Sequence, residues 1–371
     1  MFFHSKLLTS VGDLGLQADA LLLTPKRSID SIQKTDINVT IENGYADLSR
    51  LVPITVPANI DIASDGIIIH FVPFRLSGGQ IIHVKILEEQ FDYTIDSVSE
   101  KIIKGESDFQ KKEENGVIFR LYAPSTDSPR PLILFLHGGG ECGSDNLLQL
   151  TGTLGAISLA ERFPDFYVMA PQAPDNGVSI EQMLADFNHF SSFDTMDLGT
   201  PTGYGKSKRG WNRDYLSKVS AEIQRLIDSG KVDSSRIYLT GMSMGGGGCL
   251  EMLSVAPKLF AAACIICPSM NSDTYSVLHE LPDVPCWFAS AYIDHQLNRH
   301  VFLLKACTHL WEKGRTDVKL TLFTSEELKK YHLGTATGIT NEQIHAENHN
   351  CWTLVYHNEH HMLSWMVSQF K

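Results

Sequence analysis

The sequence predicts an α/β chain, with a mostly parallel sheet and helices on both faces, preceded by a small all-β sandwich. Three observations lead there. Up to about residue 110, short β-branched runs alternate with turn signals and show almost no helical periodicity. From Val117 onward, strand-like and helix-like segments alternate, as in a parallel sheet. Within that second region an apolar run at 237–240 passes through Gly241-Met-Ser-Met-Gly245 straight into a helix-like segment at 244–255. That segment is closed by Ala256-Pro257, and a second buried-strand run follows at 260–267.

The all-β part contains strand candidates at 16–23, 37–41, 54–60, 66–74, 81–87 and 93–98. Asn43-Gly44, Asp65-Gly66 and Gly78-Gly79 separate them. Regular short strands over such a length suggest a sandwich, loosely immunoglobulin-like because the Cys…Trp…Cys hallmark is absent. The polar stretch Lys111-Lys-Glu-Glu-Asn-Gly116 is the linker candidate, dividing the chain into domains 1–110 and 111–371. Beyond it, 117–122, 132–136, 166–170, 284–291 and 318–323 read as strands. Asn212 caps a helix striped by Leu216, Val219, Ile223, Leu226 and Ile227, and Leu363, Met366, Val367 and Phe370 stripe a terminal helix. Two segments interrupt this rhythm: 174–210, expected to cap the site, and 325–348, an insertion.

The composition limits the function classes. The chain has 371 residues, 43% hydrophobic and 20% charged, which suits a globular protein with a large core. A net charge of −12 argues against nucleic acid or an anionic membrane as partner. Its 7 cysteines are odd in number and sit mostly in apolar runs, with neither zinc spacing nor a disulfide framework. The N-terminus lacks a basic segment followed by an apolar core, so a cytoplasmic location is expected unless a signal was trimmed away. No run is long enough to span a bilayer.

Strand, Gly-x-Ser-x-Gly and helix in succession are the context of a nucleophile elbow, with Ser243 held above the sheet beside the positive end of a helix. The plain alternative is a glycine-rich turn without chemistry, and placement between strand and helix favours the nucleophile. His137-Gly-Gly-Gly140 directly follows the 132–136 strand. Backbone N–H groups at such a glycine run, together with the N–H of Met244, can hold the negative charge of an acyl-transfer intermediate. A phosphate cradle fits poorly, because no Gly-Lys-Ser/Thr follows. Gly203-Tyr-Gly-Lys206-Ser207 ends like a P-loop, but no strand leads into it.

A serine nucleophile needs a base and an orienting carboxylate, in chain order Ser, acid, His for this arrangement. Asp294 stands just beyond the 284–291 strand, at the edge where the elbow lies, whereas Asp283 precedes that strand. Candidate bases are His332, His345, His349, His357, His360 and His361. Their spacings could also bind a metal, but a third ligand and an open position would be needed.

Taken together, His137-Gly-Gly-Gly-Glu-Cys-Gly-Ser-Asp-Asn146, Ala170-Pro-Gln172, Gly241-Met-Ser-Met-Gly245 and Asn348-His-Asn-Cys-Trp352 resemble the α/β-hydrolase superfamily. They look most like its polyhydroxybutyrate-depolymerase and feruloyl-esterase-like branch. The resemblance covers roughly 117–371 and implies an α/β-hydrolase fold with Ser243 as nucleophile, Asp294 as acid and His349 as base. It implies an oxyanion loop at Gly139 completed by the Met244 N–H, and fits an immunoglobulin-like N-terminal domain. Two features depart from the pattern: the 325–348 insertion precedes His349, and the strand before Asp294 ends Ala-Tyr-Ile.

The expected function is a serine carboxylic-ester hydrolase, working through an acyl-enzyme on small acyl or aryl esters, including carbohydrate-linked acetyl or feruloyl esters. No cofactor or metal is implied, and homo-oligomerisation is left open. One rival is a prolyl-oligopeptidase-like peptidase using the same machinery on amides. Another is a glycan-binding protein with a vestigial hydrolase half.

Overall fold

A computed structural model describes residues 3–26, 31–42, 59–63, 65–76, 79–126, 128–179, 181–182, 209–270, 272–294, 299–334 and 347–371. The chain divides into two compact units, Met1–Ser107 with Thr151–Leu154, and Asp108–Leu150 with Gly155–Lys371.

The first unit is an all-β sandwich. Its larger sheet has the order β4-β5-β2-β1-β8, built from β1 (Phe3–Gly12), β2 (Gly15–Pro25), β4 (Asn59–Ala63), β5 (Gly66–Arg75) and β8 (Glu100–Ile103). The smaller has the order β3-β6-β7, from β3 (Ile37–Glu42), β6 (Ile81–Ile86) and β7 (Glu89–Tyr93). Leu7, Leu21, Leu23, Ile67 and Ile69 of one sheet share a core with Ile37, Ile82, Val84 and Ile86 of the other. All pairs are antiparallel except β1 with β8.

Two features escape the hydrophobic pattern. β1 turns Ser5 and Thr9 inward beside Leu7, so its buried face is half polar. Those groups are satisfied by the chain around β8: Ser5 Oγ accepts from the Ser99 N–H, and Thr9 Oγ1 donates to Ile102 O. The expected strand at 93–98 is instead the end of β7 followed by a turn, closed by N–H groups of Ser97 and Val98 on Thr94 O. Of the 54–60 candidate, only 59 and 60 fall within the described residues.

The second unit carries an eight-stranded sheet of order β16-β15-β14-β13-β11-β12-β10-β9. Its strands are β9 (Phe109–Glu114), β10 (Val117–Tyr122), β11 (Arg130–Leu136), β12 (Tyr167–Pro171), β13 (Val232–Met242), β14 (Ala262–Ile266), β15 (Cys286–Ala291) and β16 (Val318–Phe323). From β12 through β16 the pairing is parallel, and β9 and β10 add an antiparallel edge. The linker expected at 111–116 is therefore a hairpin. Asn115 (φ 53°) and Gly116 (φ 75°) form its two-residue turn, and Lys111–Glu114 belong to an edge strand whose charges discourage pairing with another chain.

Helices cover the sheet: α1 (Ala156–Arg162), α2 (Arg213–Asp228), α3 (Met244–Val255), α4 (Ser272–His279), α5 (Arg299–Glu312), α6 (Ser325–Lys330), α7 (Trp352–Tyr356) and α8 (Met362–Val367). Asn212 caps α2 through its side chain, which accepts from the Tyr215 N–H. The 325–348 insertion begins as α6, with a reciprocal cap between Thr324 and Glu327. Residues 335–346, including His345, lie outside the described residues, as do 180 and 183–208 of the expected cap.

Strand order positions the site. β11 leads through α1 to β12 on one side, and the chain then returns through α2 to β13 on the other. The carboxyl ends of β11 and β13 therefore flank a crevice where the strand order reverses. His137–Asn146 follows β11, and Ser243 follows β13.

Candidate active site

Ser243 has φ 57° and ψ −120°, a conformation that a residue with a side chain adopts only under constraint. Three backbone hydrogen bonds supply it. The Ser243 N–H donates to Ile266 O at 3.0 Å, and Ser243 O accepts from the N–H groups of Ser269 (2.8 Å) and Gly247 (3.2 Å). The flanking glycines are required by close approach. A Cβ at Gly241 would lie 2.7 Å from Gly245 O, and one at Gly245 would lie 2.0 Å from Leu136 O. Gly245→Ala should therefore force β11 and α3 apart, at a cost of about 3 kcal/mol or more, read as a fall in the denaturation midpoint. An unchanged midpoint would contradict this account of the turn.

The three expected catalytic side chains meet. His349 Nε2 lies 2.9 Å from Ser243 Oγ, and His349 Nδ1 lies 2.9 Å from Asp294 Oδ2. An ionised carboxylate can only accept, so Nδ1 donates to Asp294 and Nε2 is left to accept from the serine hydroxyl. Asp294 is fully buried just past β15. Burial pushes its carboxyl up, but the charges of Arg299 and His349 and their hydrogen bonds outweigh this and hold it below the usual range. For His349, burial and Arg299 push downward, while Asp294 and Cys267 push upward, leaving it raised to about 9.

His349 is also held from its flanks. Its ring stands at 90° to Trp352 with centroids 5.3 Å apart, which gives the spacing of the His-x-x-Trp motif a packing reason. Asn348 Nδ2 donates to Ile293 O at 3.1 Å, tying the histidine turn to the segment that carries Asp294. Glu347, two residues before His349, accepts from the Gly334 N–H at 2.7 Å. His357, His360 and His361 are exposed, and His360 pairs with Glu327.

The loop after β11 is built as a rigid unit. His137 is buried, which pushes its imidazole down to about 4. The Ala173 N–H donates to its Nε2 at 2.8 Å, so Nδ1 carries the proton and donates to Gly138 O at 2.7 Å. Arg209 donates to Gly139 O at 3.2 Å and Val178 O at 2.8 Å, and Trp211 Nε1 donates to His137 O at 3.0 Å. Gln172 joins the two ends of the motif. It accepts from the Asn146 N–H at 2.7 Å and donates to Glu141 O and Asp145 Oδ1. Gly139 opens a single 3₁₀ turn, and Met244 is the first residue of α3.

Sequence reasoning missed Arg299, Cys267 and Ser269. Arg299 Nη1 donates to Asp294 Oδ1 at 2.7 Å and Nη2 to Ser269 Oγ at 3.1 Å. Cys267 Sγ lies 3.5 Å from His349 O. Arg299 stands in the polar stretch Asn298-Arg-His300, ahead of the apolar run that begins at Val301, and nothing in that setting marks it as part of the site. The ligating atoms of Cys267, Asp294 and His349 lie within 4.8 Å of one another. They are engaged in hydrogen bonds, however, and the Arg299 guanidinium already supplies a cation to Asp294, so the cluster is a poor metal site.

The second unit has the α/β-hydrolase fold. A solved structure of a thermostable esterase matches 99% of this chain and 100% of its own, with 22% identity and a TM-score of 0.63. The model of the prolyl oligopeptidase family matches residues 204–369. Among curated proteins, the S-formylglutathione hydrolase of Rattus norvegicus is 27% identical over 159 residues, which is 41% of this chain and 52% of that protein. The chain thus spans about half the length of that relative. Among the described residues, no helix is long and apolar enough to cross a membrane.

Proposed function

We propose that the protein is a serine carboxylic-ester hydrolase acting through an acyl-enzyme, with Ser243 as nucleophile, His349 as general base and Asp294 as the orienting acid. The observation that carries this reading is the unbroken hydrogen-bonded run from Asp294 through His349 to Ser243 at the end of a strained strand-to-helix turn. His349 Nε2 takes the hydroxyl proton as Oγ bonds to the ester carbonyl carbon. The N–H groups of Gly139 and Met244 receive the oxyanion. The imidazolium then protonates the departing alcohol, and water, deprotonated by the same nitrogen, repeats the attack and frees the acid and Ser243.

Small acyl or aryl esters are the proposed substrates, with acetyl or feruloyl groups on carbohydrate as the particular class, in keeping with the feruloyl-esterase-like motifs. Residues before about 110 are read as an immunoglobulin-like accessory domain that contributes no catalytic group. The seven free, buried cysteines support a reducing, cytoplasmic setting. The match to the prolyl oligopeptidase family model favours peptidase action as the second reading. A panel of p-nitrophenyl esters of increasing acyl length, run beside aminoacyl-anilides, separates the two. Anilide turnover above that of every ester would move the assignment to a peptidase.

Only neutral His349 accepts the serine proton, so kcat/KM for ester hydrolysis should rise with pH. The upward shift of His349 places the midpoint of that rise above the ordinary imidazole value of about 6.5, toward about 9. A rate profile on a p-nitrophenyl ester checks it, and a rise complete by pH of about 6.5 would be inconsistent with the environment described.

A further inference from the structure

Arg299 is buried at the start of α5, and its guanidinium reaches two parts of the site at once. Nη1 holds Asp294 Oδ1 at 2.7 Å, leaving Oδ2 for His349 Nδ1. Nη2 holds Ser269 Oγ at 3.1 Å, while the Ser269 N–H donates to Ser243 O at 2.8 Å. One planar cation therefore links the acid to the backbone of the elbow, on the side opposite the histidine. A fork of this kind fixes carboxylate orientation as a point charge would not.

We propose that Arg299 is a positioning residue of the site, clamping Asp294 against the elbow and offsetting with its fixed charge the pull of that carboxylate on a second His349 proton. The proposal rests on the reading of Ser243, His349 and Asp294 as the catalytic group. Its physical basis is a charge balance. A buried carboxylate alone beside an imidazole favours the carboxylate–imidazolium pair, which would leave the base already occupied. The fixed positive charge of Arg299 offsets that tendency, and it acts on His349 in the downward direction.

The other groups facing His349 among the described residues are few. Cys267 comes from the segment after β14 and Ser243 from the elbow, while Cys351, in the histidine's own turn, is a hydrogen-bond partner of Cys267. His300 uses Nδ1 to accept from the Asp294 N–H at 3.1 Å, and Glu347 is held by the Gly334 N–H.

The test compares pH–rate profiles of the wild type, Arg299→Gln and Arg299→Lys on a p-nitrophenyl ester, with fluorophosphonate labelling of Ser243 measured in each. Arg299→Gln removes the charge, so the acid limb of kcat/KM should move up by about one pH unit or more. Arg299→Lys keeps the charge but not the fork, so its limb should stay at the wild-type position while kcat falls about tenfold. A Gln variant with reduced rate but an unmoved limb would make Arg299 a structural residue only and overturn the proposal. If the Gln variant does not fold, Arg299→Lys decides: wild-type kcat, or a limb displaced upward, overturns it. Failure of the underlying reading looks different, because the wild type itself would then show no labelling at Ser243 and no acid limb.

Discussion

Ser243→Ala is expected to lose fluorophosphonate labelling and to drop ester turnover by about five to six orders of magnitude, to the floor of the assay. The Ser243 hydroxyl lies 2.9 Å from His349 Nε2, on the residue that immediately precedes α3. Its backbone adds a second, independent expectation. Because Ser243 sits at φ 57° and ψ −120°, Ser243→Gly should be equally inactive yet more stable, by about 1–2 kcal/mol, since glycine adopts that conformation without steric conflict. Together the two variants separate loss of the nucleophile from relief of strain. Intact turnover in Ser243→Ala, or labelling at another serine, would remove the catalytic reading altogether.

Legibility from the sequence followed the physics of each element. The parallel strands were plain because burial on both faces leaves continuous apolar runs, as at 132–136 and 262–266. The elbow was plain because its glycines answer to backbone contacts under 3 Å, which no other residue accommodates. β1 and β9 were hidden for opposite reasons. β1 buries Ser5 and Thr9 in place of apolar side chains, whereas β9 is an edge strand whose Gln-Lys-Lys-Glu-Glu run looks like a loop. Arg299 was hidden because nothing in spacing reveals that a helix's first residue will meet a carboxylate five positions earlier in sequence. The scaffold roles of His137 and Gln172 were present as motif letters only. Their reasons, a fixed tautomer and a three-way amide bridge, appear once Ala173, Glu141, Asp145 and Asn146 are placed around them.

Asp294→Asn is the other large expected effect, a loss of about a thousandfold or more in kcat with the fold retained. The carboxylate accepts from His349 Nδ1 and from Arg299, so an amide in its place must turn its NH₂, itself a donor, toward one of them. If the amide oxygen faces Arg299, its NH₂ faces Nδ1, and the imidazole must then accept there and carry its proton on Nε2. That is the wrong tautomer for accepting the proton of Ser243. His349→Ala removes the base itself and should be at least as damaging. The double variant should be little worse than His349→Ala alone, because the acid acts only through the histidine. Additive losses in the double variant would mean that Asp294 serves catalysis by some other route. A near-normal Asp294→Asn would transfer the acid's role to another carboxylate, and Glu347→Gln would be the next variant to measure.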